Sequence, residues 1–159
     1  MYFVTLTIKK WYYIFDRYNR WDILADSLKY CQKNKGLKVH AYVFMLNHIH
    51  LIIQSPDVSG VIRDFKSHTA KALLINIKET EPTILRLFRS KEGKYEFWQK
   101  TNMPEIIETD YFLQQKLDYI HDNPVRKQYV SQPEHWIWSS AGYYENEEQG
   151  KIKIDPLDD

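Results

Sequence analysis

Val39-His-Ala-Tyr-Val-Phe-Met-Leu46, then Asn47, then His48-Ile-His50-Leu-Ile-Ile-Gln54 is the stretch that decides the fold. Both runs are β-prone, and the short break between them predicts a hairpin. Alternation in the second run separates two sets, with Ile49, Leu51 and Ile53 on one face and His48, His50 and Ile52 on the other. The first set is purely apolar and should pack under helices. The second leaves two imidazoles side by side, where their ring nitrogens can converge on one cation. A His-Ile-His triplet alone is a weak signal, and structural or solvated histidines are the ordinary alternative.

Outward from the hairpin, Tyr2-Phe-Val-Thr-Leu-Thr-Ile8 alternates as a strand, with Val4, Leu6 and Ile8 opposed to Phe3, Thr5 and Thr7. Between the strands, Asp22 to Lys35 sets Ile23, Leu24, Leu28 and Cys31 at helical spacing, and Gly36 suits the end of that helix. From Asp57 to about Glu79 the helical period returns with Ile62, Phe65, Thr69, Leu73 and Ile77, and Pro82 closes it. Tyr95 to Gln99 reads as a fourth strand. Asp110 is a candidate N-cap for one more helix, expected to finish near Asn123 because Pro124 disfavours helical geometry in its predecessor. The order is βαββαβ plus a helix, which predicts a ferredoxin-like α+β sandwich around a central antiparallel sheet. Its first and third strands would be central. Residues 1–144 are expected to form a single domain and 145–159 an acidic tail.

The added helix carries an apolar stripe at Leu113, Leu117 and Ile120, and Tyr119 points away from its centre. Tyr119 and Asn123, four apart, share a face. If that face covers the histidines, the Asn123 amide oxygen can complete a three-ligand metal site and the phenol can stand beside it. His121, two residues from Tyr119, lies on nearly the opposite face and reads as a surface or capping residue rather than a base. Tyr111, Tyr129, Tyr143 and Tyr144 have no asparagine four residues on. Trp98, Trp136 and Trp138 could stack on bases, although core packing is the commoner role.

A net charge of +1 hides a gradient, since residues 145–159 hold six acids and two lysines and leave +5 on the remainder. Local basic stretches, rather than the overall balance, are what a phosphate backbone needs. Arg63, Lys66, Lys71, Arg86, Arg89 and Lys100 are the candidate DNA contacts, with Arg126 at the end of the late helix. The lone Cys31 has no partner for an internal bridge, no run approaches the roughly 18 apolar residues of a membrane span, and the N-terminus lacks a signal-peptide pattern. A cytoplasmic protein without a membrane partner is expected.

His40-Ala-Tyr-Val-Phe-Met-Leu-Asn-His48-Ile-His50-Leu-Ile-Ile53 resembles the His-hydrophobic-His segment of the HUH endonuclease superfamily as it occurs in IS200-like transposases. Leu117-Asp-Tyr119-Ile-His-Asp-Asn123-Pro-Val-Arg126, followed by Pro133-Glu134 and Trp138-Ser-Ser-Ala141, is similar to the REP-associated tyrosine transposases. The likeness spans about residues 2–144. It implies Tyr119 as the catalytic tyrosine, His48, His50 and Asn123 as ligands to a divalent metal ion (Mg²⁺ or Mn²⁺), and single-stranded or hairpin DNA as the partner. It also implies cleavage and rejoining through a 5′-phosphotyrosine. Assembly stays open between a homodimer and a monomer. Two rival functions stay open as well: a ferredoxin-like nucleic-acid-binding module without catalysis, and a metal-dependent nuclease in which water attacks.

Overall fold

The structure is a computed structural model and describes residues 1–158. Strands β1 (Tyr2–Thr7), β2 (Lys38–Phe44), β3 (His48–Gln54) and β4 (Glu105–Ile106) form one antiparallel sheet in the order β2-β3-β1-β4. As the βαββαβ order predicts, β1 and β3 lie at the centre. Helices α1 (Arg20–Asn34) and α2 (Val58–Thr80) cover one face. There Leu24, Leu28, Phe65, Leu73 and Ile77 bury against Val4, Leu6, Ile49, Leu51 and Ile53. Gly36, at φ 64°, ends the first of these helices in the left-handed conformation that glycine adopts without a Cβ clash.

Helix α3 (Asp110–Arg126) crosses the other face. Its Leu117 and Ile120 close a second core on Phe3, Ala41, Val43, Met45 and Ile52, and each such fully buried aliphatic contributes about 1.5–3 kcal/mol. The cap is Thr109, whose hydroxyl accepts from the Phe112 N–H, rather than Asp110. Nor does the helix stop at Asn123. It continues through Pro124 to Arg126 and closes with the Lys127 N–H donating to the Asn123 carbonyl at 3.1 Å. Proline forfeits one N–H, but its ring conflicts only with the preceding turn, and the buried Leu117–Ile120 face holds that turn in place.

Tyr95–Gln99 does not make the expected regular strand. Ile8 and Trp98 form a single bridge, and the edge strand resumes as β4, where Phe3 pairs with Glu105. Extending the Ile8–Trp98 pairing would set Phe3 opposite Met103, so the loop between holds two extra residues. Pro104, which cannot donate to a ladder, sits at that junction. A short helix α4 (Ala141–Asn146) follows.

The acidic segment, expected as a tail from residue 145, returns to the sheet. Ile152 and Ile154 are buried in the main core. The Asp155 N–H donates to the Val39 carbonyl at 2.8 Å, and the Val39 N–H donates to the Asp155 carboxylate at 2.9 Å. Two apolar residues at strand-like spacing outweigh the surrounding acids, of which Asp155 is bonded to the sheet while Glu145, Glu147 and Glu148 are exposed. No helix among the described residues is long and apolar enough to cross a membrane.

Candidate functional site

The central strand pair sets Thr5 opposite His50 and Thr7 opposite His48. These four side chains, with Tyr119, Lys127, Asn47, Trp11, Tyr13 and Tyr129 among their neighbours, line a cleft of about 280 Å³. The imidazoles of His48 and His50 lie 4.8 Å apart between ring centroids, and the His50 ring meets the Tyr119 ring edge-on at 5.1 Å. Tyr119 on α3 and the two histidines on β3 meet within the single chain. Tyr119 is 43% exposed, in keeping with a side chain off the apolar stripe.

Hydrogen bonds fix how the histidines present themselves. Asn47 donates through Nδ2 to the Trp11 carbonyl at 3.0 Å, which turns its Oδ1 toward His48 Nδ1 at 2.6 Å. An amide oxygen only accepts, so His48 Nδ1 carries the proton and Nε2 the lone pair. His50 Nδ1 pairs with the Thr5 hydroxyl at 2.8 Å, and its Nε2 is buried without a partner. Burial is the main reason both stay neutral. Desolvation, then the charge of Lys127, lowers the His48 pKa to about 4. Desolvation, then His48, Lys116 and Arg126, lowers that of His50 to about 3. Two neutral imidazoles, one with its Nε2 lone pair free and the other with an unpartnered Nε2, are suited to bind a cation.

Cations surround the phenol. The Arg126 guanidinium lies 4.7 Å from the Tyr119 ring centroid and donates to the Tyr119 carbonyl at 3.0 Å. Lys116 Nζ lies 4.2 Å from the Phe3 ring, 5.9 Å from that of Tyr119, and 3.2 Å from the Glu105 carboxylate. Phe3 in turn stacks on His50 at 5.5 Å. Arg126 can fold back over Tyr119 because the helix runs on past Pro124.

Asn123 is buried at 5% exposure one turn beyond Tyr119, and it is not part of the cleft wall. Among the described residues no three His, Cys, Asp or Glu side chains gather as a metal cluster. Of the basic candidates only Arg126 stands at the phenol. Arg63, Lys66 and Lys71 are on α2, behind the opposite face of the sheet. Lys66 is already bonded to the Gln99 carbonyl at 2.6 Å and Asn102 Oδ1 at 2.8 Å, and it shares a shallow surface pocket with Arg63 and Lys100. Arg86 and Arg89 are exposed at the end of the 3-10 turn Pro82–Phe88.

His121 points away from Tyr119, as its spacing predicts. It is neither a surface nor a capping group, because its Nε2 bonds Ser140 Oγ at 2.8 Å and its ring packs on Tyr144. Trp98 and Trp138 are core residues. Thr5, Asn47, Lys116, Lys127, Trp11 and Tyr13 escape a motif-based reading. Pairing the first and third strands in register would have found Thr5, and adjacency to His48 would have found Asn47.

The family model for IS200-like transposases matches residues 1–123, a segment that takes in both histidines and Tyr119. The chain belongs to the IS200-like transposase family. A Haemophilus influenzae protein whose name assigns it to the REP-associated tyrosine transposases is 29% identical over 105 residues, which is 63% of this chain and 56% of that relative's length. Among solved structures, a REP-associated tyrosine transposase bound to a REP hairpin superposes with a TM-score of 0.71 at 18% identity, covering 99% of this chain and 87% of the other. That likeness is one of fold.

Proposed function

We propose that this chain cleaves and rejoins single-stranded or hairpin DNA, with Tyr119 as the nucleophile. One observation carries the reading: a half-exposed phenol stands 5.1 Å, ring to ring, from a buried neutral imidazole in a cleft that also holds His48 and Lys127. Tyr119 is neither sealed in the core nor isolated at the surface. Family membership supports DNA as the substrate.

In the reaction, Tyr119 Oη bonds to a backbone phosphorus and the bond from phosphorus to the 3′-oxygen breaks. The products are a 5′-phosphotyrosine and a 3′-hydroxyl that takes up the proton lost by the phenol. A second 3′-hydroxyl then displaces the tyrosine and reseals the strand without external energy, since the linkage conserves the bond. Lys127, Lys116 and Arg126 offer positive charge to the phosphate oxygens.

His48 and His50 fit a divalent metal. Both are held neutral, and the unpartnered Nε2 of His50 is otherwise a costly buried orphan. By the family resemblance Asn123, one turn from Tyr119 though outside the cleft wall, would be the third ligand. Mg²⁺ or Mn²⁺ bound there would polarise a non-bridging phosphate oxygen.

The test is incubation with labelled DNA hairpins and Mn²⁺, followed by mass spectrometry of DNA-linked peptides. A covalent peptide containing Tyr119 is expected, and Tyr119→Phe should lower cleavage by more than ~10³-fold. Cleavage that survives Tyr119→Phe would mean that water attacks. No cleavage by the unaltered chain would leave a binding module.

A further inference from the structure

Chemistry at a phosphate makes no use of the aromatic wall of the cleft. Trp11, Tyr13 and Tyr129 line it together with His48, His50 and Tyr119, and they are 66%, 54% and 39% exposed. Such large rings are ordinarily covered, so three of them bordering one functional cleft is a pattern that calls for an occupant.

The backbone that carries Trp11 and the ring of Tyr129 are also held in place. Lys10 and Trp11 have φ of 56° and 57°, a conformation that residues with a Cβ rarely adopt. The turn is pinned by the Trp11 N–H donating to the Ile8 carbonyl at 3.0 Å and by Asn47 Nδ2 donating to the Trp11 carbonyl at 3.0 Å. Asn47 is the residue that orients His48 through its other amide atom. One side chain thus ties the presentation of Trp11 to the geometry of the imidazole. Tyr129 is braced by stacking on Trp136, ring centroids 5.6 Å apart, and Trp136 is anchored by donating to the Phe44 carbonyl at 3.0 Å.

A purely apolar partner would leave polar groups unmatched, since this cleft sets Thr5, Thr7, Asn47, His48 and Lys127 beside Met45, Leu46 and the aromatic rings. Flat π faces beside polar and cationic groups match a nucleobase attached to a phosphate. A base inside a duplex has no free face to offer, so the wall can engage only an unpaired nucleotide.

We propose that Trp11, Tyr13 and Tyr129 form a stacking clamp that grips an unpaired nucleobase flanking the phosphate presented to Tyr119, and so select single-stranded DNA at the point of attack. This rests on DNA being the substrate, as proposed above.

The experiment is metal-free titration of the full chain with a short oligothymidylate and with the same oligomer carrying abasic sites, read by fluorescence anisotropy and tryptophan emission. Trp11→Ala and Tyr13→Ala should each weaken binding at least about fivefold. Tyr30→Ala, which removes an exposed aromatic on α1 outside the cleft, should not. The abasic oligomer should bind the unaltered chain more weakly, and that gap should narrow in Trp11→Ala. Trp11→Phe keeps a stacking face, so it should retain affinity while abolishing most of the emission change, and it decides the matter if the alanine variant does not fold. Unchanged affinity in the alanine variants, an emission change that survives Trp11→Phe, or equal binding of abasic and intact DNA overturns the clamp. The Tyr119 adduct assay separates the two proposals. Adduct formation with Trp11-independent binding overturns the clamp alone, and Trp11-dependent binding without any adduct overturns cleavage alone.

Discussion

Thr5 and His50 face each other across the central strand pair, with the threonine hydroxyl 2.8 Å from imidazole Nδ1. That contact leaves Nε2 as the only free nitrogen of the ring and aims it away from β1. Thr5→Val keeps the volume and removes the partner. It should weaken Mn²⁺ binding by about 10–100-fold, the usual cost of losing a hydrogen bond behind a metal-bound histidine, while leaving the fold intact. Isothermal titration with Mn²⁺ measures it. Undiminished affinity would show that stacking on Phe3 alone orients the ring.

Arg126 lies over the Tyr119 ring and bonds the backbone of the same residue. Arg126→Ala should slow single-turnover cleavage by roughly tenfold or more through loss of a fixed cation beside the attacking group, with metal affinity unchanged. Arg126→Lys should recover part of the rate, since it restores the charge without the planar stack. Equal rates in all three proteins would remove Arg126 from the site.

Acid should destabilise the protein in a defined window. Desolvation lowers the pKa of His121 to about 4 from an unperturbed 6.5. Above 6.5 the group is neutral folded and unfolded, and it adds no pH dependence. As pH falls from 6.5 toward 4 the unfolded chain takes up a proton that the folded chain refuses, so stability declines, by an amount on the order of 3 kcal/mol once pH is below both values. His48 and His50 act in the same direction. His121→Gln should therefore flatten, without abolishing, the fall in urea midpoint between pH 6.5 and 4. A slope identical to that of the unaltered chain would mean that the ring is solvated.

Ile152 is buried in the main core although it lies in the acidic C-terminal segment. Ile152→Ala should cost about 2–5 kcal/mol in urea denaturation, the range for a buried aliphatic truncated to alanine. A cost under ~0.5 kcal/mol would show that the segment is a detachable tail.

Much of the frame was legible because its signals are local. The two-residue alternation in His48–Gln54 correctly assigned Ile49, Leu51 and Ile53 to the helix-covered face, and the stripe Leu113–Leu117–Ile120 correctly left Tyr119 outside the core. Errors came where a local rule met a long-range contact. Pro124 argues for a helix end, yet the packing of Leu117 and Ile120 carries the helix to Arg126. Tyr95–Gln99 has strand propensity, but only Trp98 is in bridging register with β1. Six acids suggest a solvated tail, and two isoleucines suffice to bury its spine. Trp11 and Tyr13 gave no signal at all, because a left-handed turn built from Lys10 and Trp11 has no sequence signature of the kind glycine provides.

By its periodicities and motif spacing, the sequence alone determined the strand and helix order, the face that bears the imidazoles, and the family likeness. Periodicity follows from backbone geometry within a few residues, so it is written into the chain. The meeting of Tyr119 with His50, the orientation of both histidines by Thr5 and Asn47, and the aromatic rim of the cleft were decided only by tertiary structure. Each depends on side chains brought together from separate elements, and such contacts exist only once α3 has settled on its side of the sheet and the cores beneath have closed.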